Sequence, residues 1–202
     1  MTRGICYTVG NMKSLQLSKP YLLVMVGMPG AGKTTFATQF AATFNAPLIN
    51  YAELGELVGR NPDLAYRVAD YTIDQLLRTK QTFIIDGPGD KQADRRQIIA
   101  LAKHHGYTPL FIWVQTEPTT AEIRAVRQKG ATMSKAAYDQ RVAAFEFLTN
   151  LEPVLVISGK HTYSAQARTV LKKLVTDRPS VTEPKVPTPP PRSLPSRGRL
   201  IR

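Results

Sequence analysis

Short runs of consecutive apolar residues alternate along this chain with longer stretches in which apolar side chains recur every three or four positions. The runs at 21–26, 47–50, 82–86, 109–114 and 153–157 predict strands. Two of them, Leu22-Leu23-Val24-Met25-Val26 and Phe111-Ile112-Trp113-Val114, carry no polar alternation, so both of their faces are covered, as in a parallel sheet under helices. The longer stretches predict helices at 33–44, 64–78, 91–105, 119–129, 134–148 and 164–175. Local signals mark some ends. Asn61 with Pro62 opens one helix, and Gly106 closes another that carries His104 and His105 in its last turn. Strict alternation of strand and helix implies a three-layer α/β fold with right-handed crossovers.

Composition sets the limits of this reading. The 202 residues are 43% hydrophobic and 21% charged, which suits one sizeable core and excludes a wholly disordered or fibrous chain. Cys6 is the sole cysteine, and His104, His105 and His161 have no companion cysteines, so neither a disulfide framework nor a zinc site is expected. The longest charge-free apolar stretch, 21–32, is interrupted by Gly27, Pro29 and Gly30 and falls short of the ~20 residues of a membrane helix. No apolar segment of the secretory type follows Arg3 before Lys13, and a cytoplasmic location is expected.

Residues 1–18 show no clear periodicity and are left unassigned, 19–175 form the expected domain, and 176–202 read as a tail. That tail holds seven of the 15 prolines and six basic residues (Arg178, Lys185, Arg192, Arg197, Arg199, Arg202) against Asp177 and Glu183. Its apolar residues are too sparse for a core, which predicts a disordered or polyproline II extension. The net charge of +12 favours anionic partners: nucleotides, nucleic acid or membrane headgroups.

Directly after the first strand stands Gly27-Met28-Pro29-Gly30-Ala31-Gly32-Lys33-Thr34, a full match to G-x-x-x-x-G-K-[ST]. In such a phosphate-binding loop, or P-loop, glycines let the backbone turn its N–H groups inward, where they and the positive end of the next helix meet phosphate oxygens. Gly27, Gly30, Ala31 and Gly32 would form the cradle, Lys33 would meet the β and γ phosphates of ATP, and Thr35 the α phosphate. The Thr34 hydroxyl would bind Mg²⁺. A plain glycine turn explains the glycines but neither Lys33 nor Thr34. The strand Thr82-Phe83-Ile84-Ile85 then ends in Asp86, before Gly87-Pro88-Gly89. A carboxylate at a strand end beside a P-loop is placed to hold magnesium, although an Asp opening a turn before Gly-Pro would look the same.

The stretches GMPGAGKTT, IIDGPG and Ala121-Glu122-Ile123-Arg124-Ala125-Val126-Arg127 together resemble the small P-loop kinases: adenylate kinase, polynucleotide 5′-kinase, zeta toxin and chloramphenicol phosphotransferase. The resemblance covers residues 21–175. It implies a five-stranded parallel sheet in the order 2-3-1-4-5 with a short helical lid after the fourth strand. It also implies that Arg124 and Arg127, three apart and so on one helix face, close over the triphosphate. The bland reading is a solvated basic face completed by Lys129. Arg141 is a further candidate, and the loop Ser158-Gly159-Lys160-His161 would approach the adenine.

One position departs from the family. An Asp after the second strand would take the proton of the acceptor hydroxyl, but the register puts Ala52 there. Glu53 is the nearest carboxylate; it fits either a displaced base or an ordinary acid in a helix start. Two functions follow. The first is an ATP-dependent kinase, with Lys33, Asp86, Arg124, Arg127 and Glu53 as its catalytic set, acting on a small-molecule hydroxyl, a nucleotide or a nucleic-acid end. The second is an ATP-binding module without transfer that works through its tail, where Pro184 to Pro187 and Pro187 to Pro190 have P-x-x-P spacing.

Overall fold

The computed structural model describes residues 17–128 and 133–176. Strands β1 (Tyr21–Val26), β2 (Leu48–Asn50), β3 (Phe83–Asp86), β4 (Thr108–Gln115) and β5 (Val154–Ser158) form one sheet in the order β2-β3-β1-β4-β5. Every neighbouring pair is parallel. The helices are α1 (Lys33–Phe44), α2 (Tyr51–Leu57), α3 (Pro62–Thr79), α4 (Gln92–His104), α5 (Pro118–Glu122), α6 (Lys135–Ala143) and α7 (Tyr163–Thr176), with a single π turn, Ile123–Arg127, after α5. The sheet order expected from the resemblance is the one observed.

The sheet sorts its side chains by parity, because successive residues of a strand point to opposite faces. Tyr21, Leu23 and Met25 of β1 pack with Phe36 and Phe40 of α1 and with Val170 and Leu174 of α7. Leu22, Val24 and Val26 pack with Ala69, Ile73 and Leu77 of α3 and with Ala102 of α4. All six β1 residues are buried, as the unbroken apolar run requires. Because the strands run the same way, all their C-terminal ends meet at one edge. The order changes direction between β1 and β4, which opens a crevice there.

Three elements differ from the pattern-based expectation. Helix α2 was not among the predicted helices: it is seven residues long with no buried residue, so it leaves no periodic signal. It is held at its start by Asn50, whose Oδ1 accepts from the amides of Ala52 at 3.0 Å and Glu53 at 3.3 Å. The helix expected over 134–148 stops at Ala143, because the backbone beyond it bonds elsewhere. The Glu146 amide donates to the Asp90 carbonyl at 2.9 Å, and the carbonyls of Glu146 and Phe147 accept from Arg95 at 3.0 and 3.3 Å. The helix expected over 119–129 is α5 followed by the π turn, and Lys129 lies outside the described residues. So do most of the unassigned N-terminal segment and residues 177–202 of the tail. Among the described residues no helix is long and apolar enough to cross a membrane.

Candidate active site

The β1–α1 turn puts Gly27 to Thr34 at the C-terminal edge of the sheet, where the order reverses. At Gly30, φ is 75° and an added Cβ would run into the carbonyl oxygen of Ala121 in α5, so no other residue fits without displacing one of the two segments. The N-cap of α1 is Gly32, which offers no side-chain cap, and the first turn of α1 holds no acid. Most helices neutralise their first amides with a Ser, Asp or Glu. Here that end of the helix keeps its donors and its positive potential for an outside anion.

Lys33 folds back over this turn, its Nζ donating to the carbonyls of Gly27 at 2.6 Å and Met28 at 3.1 Å. Burial pushes its pKa below the ordinary lysine value, and Arg141 adds to that; Asp90 and then Asp86 oppose it. Thr34 Oγ1 donates to Asp86 Oδ2 at 2.5 Å, across 52 residues of sequence, while Thr35 lies exposed on the same turn. Asp86 is buried at the end of β3, opposite Asn50 of β2. Two hard oxygen donors side by side suit Mg²⁺, which is usually held by one or two carboxylate or hydroxyl oxygens plus phosphates and water. Among the described residues no cluster of three His, Cys, Asp or Glu would make a closed protein cage instead.

The remaining candidates are spread around this centre. Arg124 Nη1 reaches the Gly159 carbonyl at 3.3 Å, in the loop after β5, whereas Arg127 turns to Glu122 at 2.9 Å on the protein surface. The π turn that carries them winds wider than an α-helix, so their three-residue spacing does not bring both to one partner. Glu53 is exposed in the first turn of α2. Ala52 is exposed beside it.

Two groups in the centre were not identified from the sequence. Asp90, four residues past Asp86, is the leading carboxylate in the field of Lys33 and pairs with Arg141 of α6 at 3.0 Å. Its only sequence signal was an acid after Gly-Pro-Gly. Tyr51 lies over the turn after β3: an added Cβ on Gly87 would overlap its ring. It also packs edge-on against Tyr66 with centroids 5.4 Å apart. Burial, with help from Asp70 and Tyr66, pushes the Tyr51 hydroxyl up to about 12, so it stays neutral and walls the Asp86 side of the crevice.

The AAA domain family model matches residues 22–148, from the first strand through the lid region. The chain belongs to this AAA domain family. No curated protein sequence matches it. Solved structures that share the fold of the domain include three small P-loop proteins. A gluconokinase from Sinorhizobium meliloti 1021 has TM-score 0.58 and 16% identity, covering 78% of this chain and 93% of that one. Kti12 from Chaetomium thermophilum, in complex with ADP-AlF3, has TM-score 0.58 and 19% identity, covering 77% and 97%. A shikimate kinase from Aquifex aeolicus vf5 has TM-score 0.52 and 16% identity, covering 76% and 96%. The architecture of this AAA domain is therefore that of the small P-loop kinases.

Proposed function

We propose that this protein is an ATP-dependent kinase that moves the γ-phosphoryl group to a hydroxyl or phosphate acceptor: a small molecule, a nucleotide or a nucleic-acid end. One observation carries the reading. A part-buried lysine, a first-turn hydroxyl and a buried strand-end carboxylate converge on an uncapped helix start, with Thr34 and Asp86 joined at 2.5 Å. Phosphoryl transfer is mostly positioning and charge stabilisation, and these groups supply both.

In this reading the amides of the P-loop and the first turn of α1 bind the phosphates, and Lys33 exchanges its carbonyl partners for phosphate oxygens. Thr34 and Asp86 would hold Mg²⁺, which when bound neutralises charge on the phosphates. Arg124 is already anchored next to the loop after β5. Arg127 is held only by an exposed ion pair, worth about 0–1 kcal/mol, and is easily drawn to a polyphosphate. For the acceptor proton, Asp90 is a candidate beside Glu53: it stands four residues past Asp86 and is held by Arg141 of α6 at 3.0 Å, while Glu53 is exposed in the first turn of α2. A cytoplasmic setting, where ATP is at hand, fits this reading.

The test is transfer of labelled γ-phosphate to pooled small hydroxyl compounds, nucleotides and oligonucleotides with free 5′ ends. The protein is expected to label one pool, with Lys33→Ala abolishing the label and Asp90→Asn lowering kcat while leaving ATP binding intact. Undiminished transfer by Lys33→Ala would end the proposal. The exposed position of Glu53 and the bare Ala52 favour one other reading, an ATP-binding module without transfer; tight Mg-ATP binding with no labelled product in any pool would select it.

A further inference from the structure

The face of β4 and β5 away from α7 is poorly covered. Because α6 ends at Ala143, the following segment crosses this face as irregular chain, with Phe147 63% and Val156 45% exposed. Beneath it lies a cavity of about 820 Å³ lined by Trp113, Phe145, Phe147, Val156 and Met28, with Glu117 and Lys160 at its rim. The aromatic rings form a continuous wall: Trp113 and Phe147 have centroids 6.1 Å apart, and Phe145 meets Phe147 edge-on at 5.5 Å. Its lining also takes in Met28 and Ala31 of the P-loop and Ser158 and Lys160 of the loop after β5, so the groove opens directly beside the phosphate cradle and shares Ala31 with it.

We propose that this aromatic groove is the docking site of the chain's own proline-rich segment, residues 184–191. Three observations name that occupant. Aromatic-lined grooves take polyproline II segments, whose restricted backbone loses little entropy on binding, and Glu183-Pro184-Lys185-Val186-Pro187-Thr188-Pro189-Pro190-Pro191-Arg192 is the part of this chain with that chemistry. The charges are compatible: Lys185 and Arg192 flank the prolines and Glu146 lies exposed next to Phe147, while Glu117 in the lining is paired with Lys160 at 2.7 Å.

The length matches too. Helix α7 leaves the groove end of β5 and carries the chain about 21 Å away, at ~1.5 Å per residue over its 14 residues. Eight residues, 177–184, have a polyproline II reach of about 25 Å at ~3.1 Å each. Since β5 is the edge strand, no further strand stands between the α7 side of the sheet and the groove side.

Trp113 is the only tryptophan, so its emission reports on the groove alone. The experiment compares acrylamide quenching of the full chain with that of a full chain carrying Pro187→Ser, Pro189→Ser, Pro190→Ser and Pro191→Ser. With a tether giving an effective concentration on the order of 1 mM, the substitutions should raise the quenching constant about twofold and shift the emission to the red. A synthetic peptide of residues 177–202 should restore protection to the substituted chain. Zero-length carbodiimide coupling of the native chain should join Lys185 to Glu117 or Glu146 within one molecule. Equal quenching of the two chains, with no effect of the peptide, would overturn the proposal. Protection that grows with protein concentration, or cross-links only between molecules, would assign the groove to a second copy and would equally overturn it.

Discussion

Lys33 pays for its position in desolvation, and in the proposed nucleotide site that predicts sensitivity to alkali earlier than a surface lysine would show. Its pKa lies below the ordinary 10.5 when the site is empty, while a bound polyphosphate favours the charged form and raises it. Binding therefore takes up a proton once the pH exceeds the lowered value, and affinity falls with further rise by up to about tenfold per pH unit. Calorimetric titration of Mg-ATP from neutral pH upward should show this loss beginning below pH 10.5; constant affinity up to that value would contradict the buried setting of Lys33. At this scale the P-loop residues were legible because their chemistry is written in consecutive positions. Arg141 was a candidate, but Asp90 and its pairing with Arg141 were not legible, since a distance between residues 51 apart exists only in the folded chain.

Among elements, the segment after α6 depends on one side chain. Arg95 of α4 has no exposed surface, and its guanidinium holds Glu152 along with the carbonyls of Gly89, Glu146 and Phe147. Burial alone would raise the Glu152 pKa, but hydrogen bonds from Arg95 and Thr149 outweigh it and hold the group below its usual range. Arg95→Met would leave that carboxylate buried without its partner, at a cost of about 3–5 kcal/mol read by chemical denaturation. Adding Glu152→Leu should recover a large part of the loss. The strands and long helices were readable from periodicity because they bury a face. By contrast, α2 buries nothing, and the expected helix over 134–148 is cut short by Arg95, a residue on another element whose pull no local pattern records.

At the scale of the whole molecule, the fold delivers contributions from β1, β3, β4 and β5 to one edge, so a ligand there joins segments that are far apart in sequence. Mg-ATP at a hundred times its Kd should stabilise the protein by about 2.7 kcal/mol, or roughly 5–10 °C in melting temperature for a domain of this size. Lys33→Ala should show no such rise in a thermal scan, and an equal rise would mean that the nucleotide binds elsewhere. The sheet order followed from the family resemblance, but the sparse cover over β4 and β5 did not, because it arises from where a helix fails to continue.

The contact between Gly30 and Ala121 divides the molecule mechanically. With no room for even a methyl group between them, α5 has no room to move further onto the P-loop, so a swing that closes over the loop would start beyond Glu122. Its pivot would then be the widened turn Ile123–Arg127, which puts both arginines on the hinge and not on the arm.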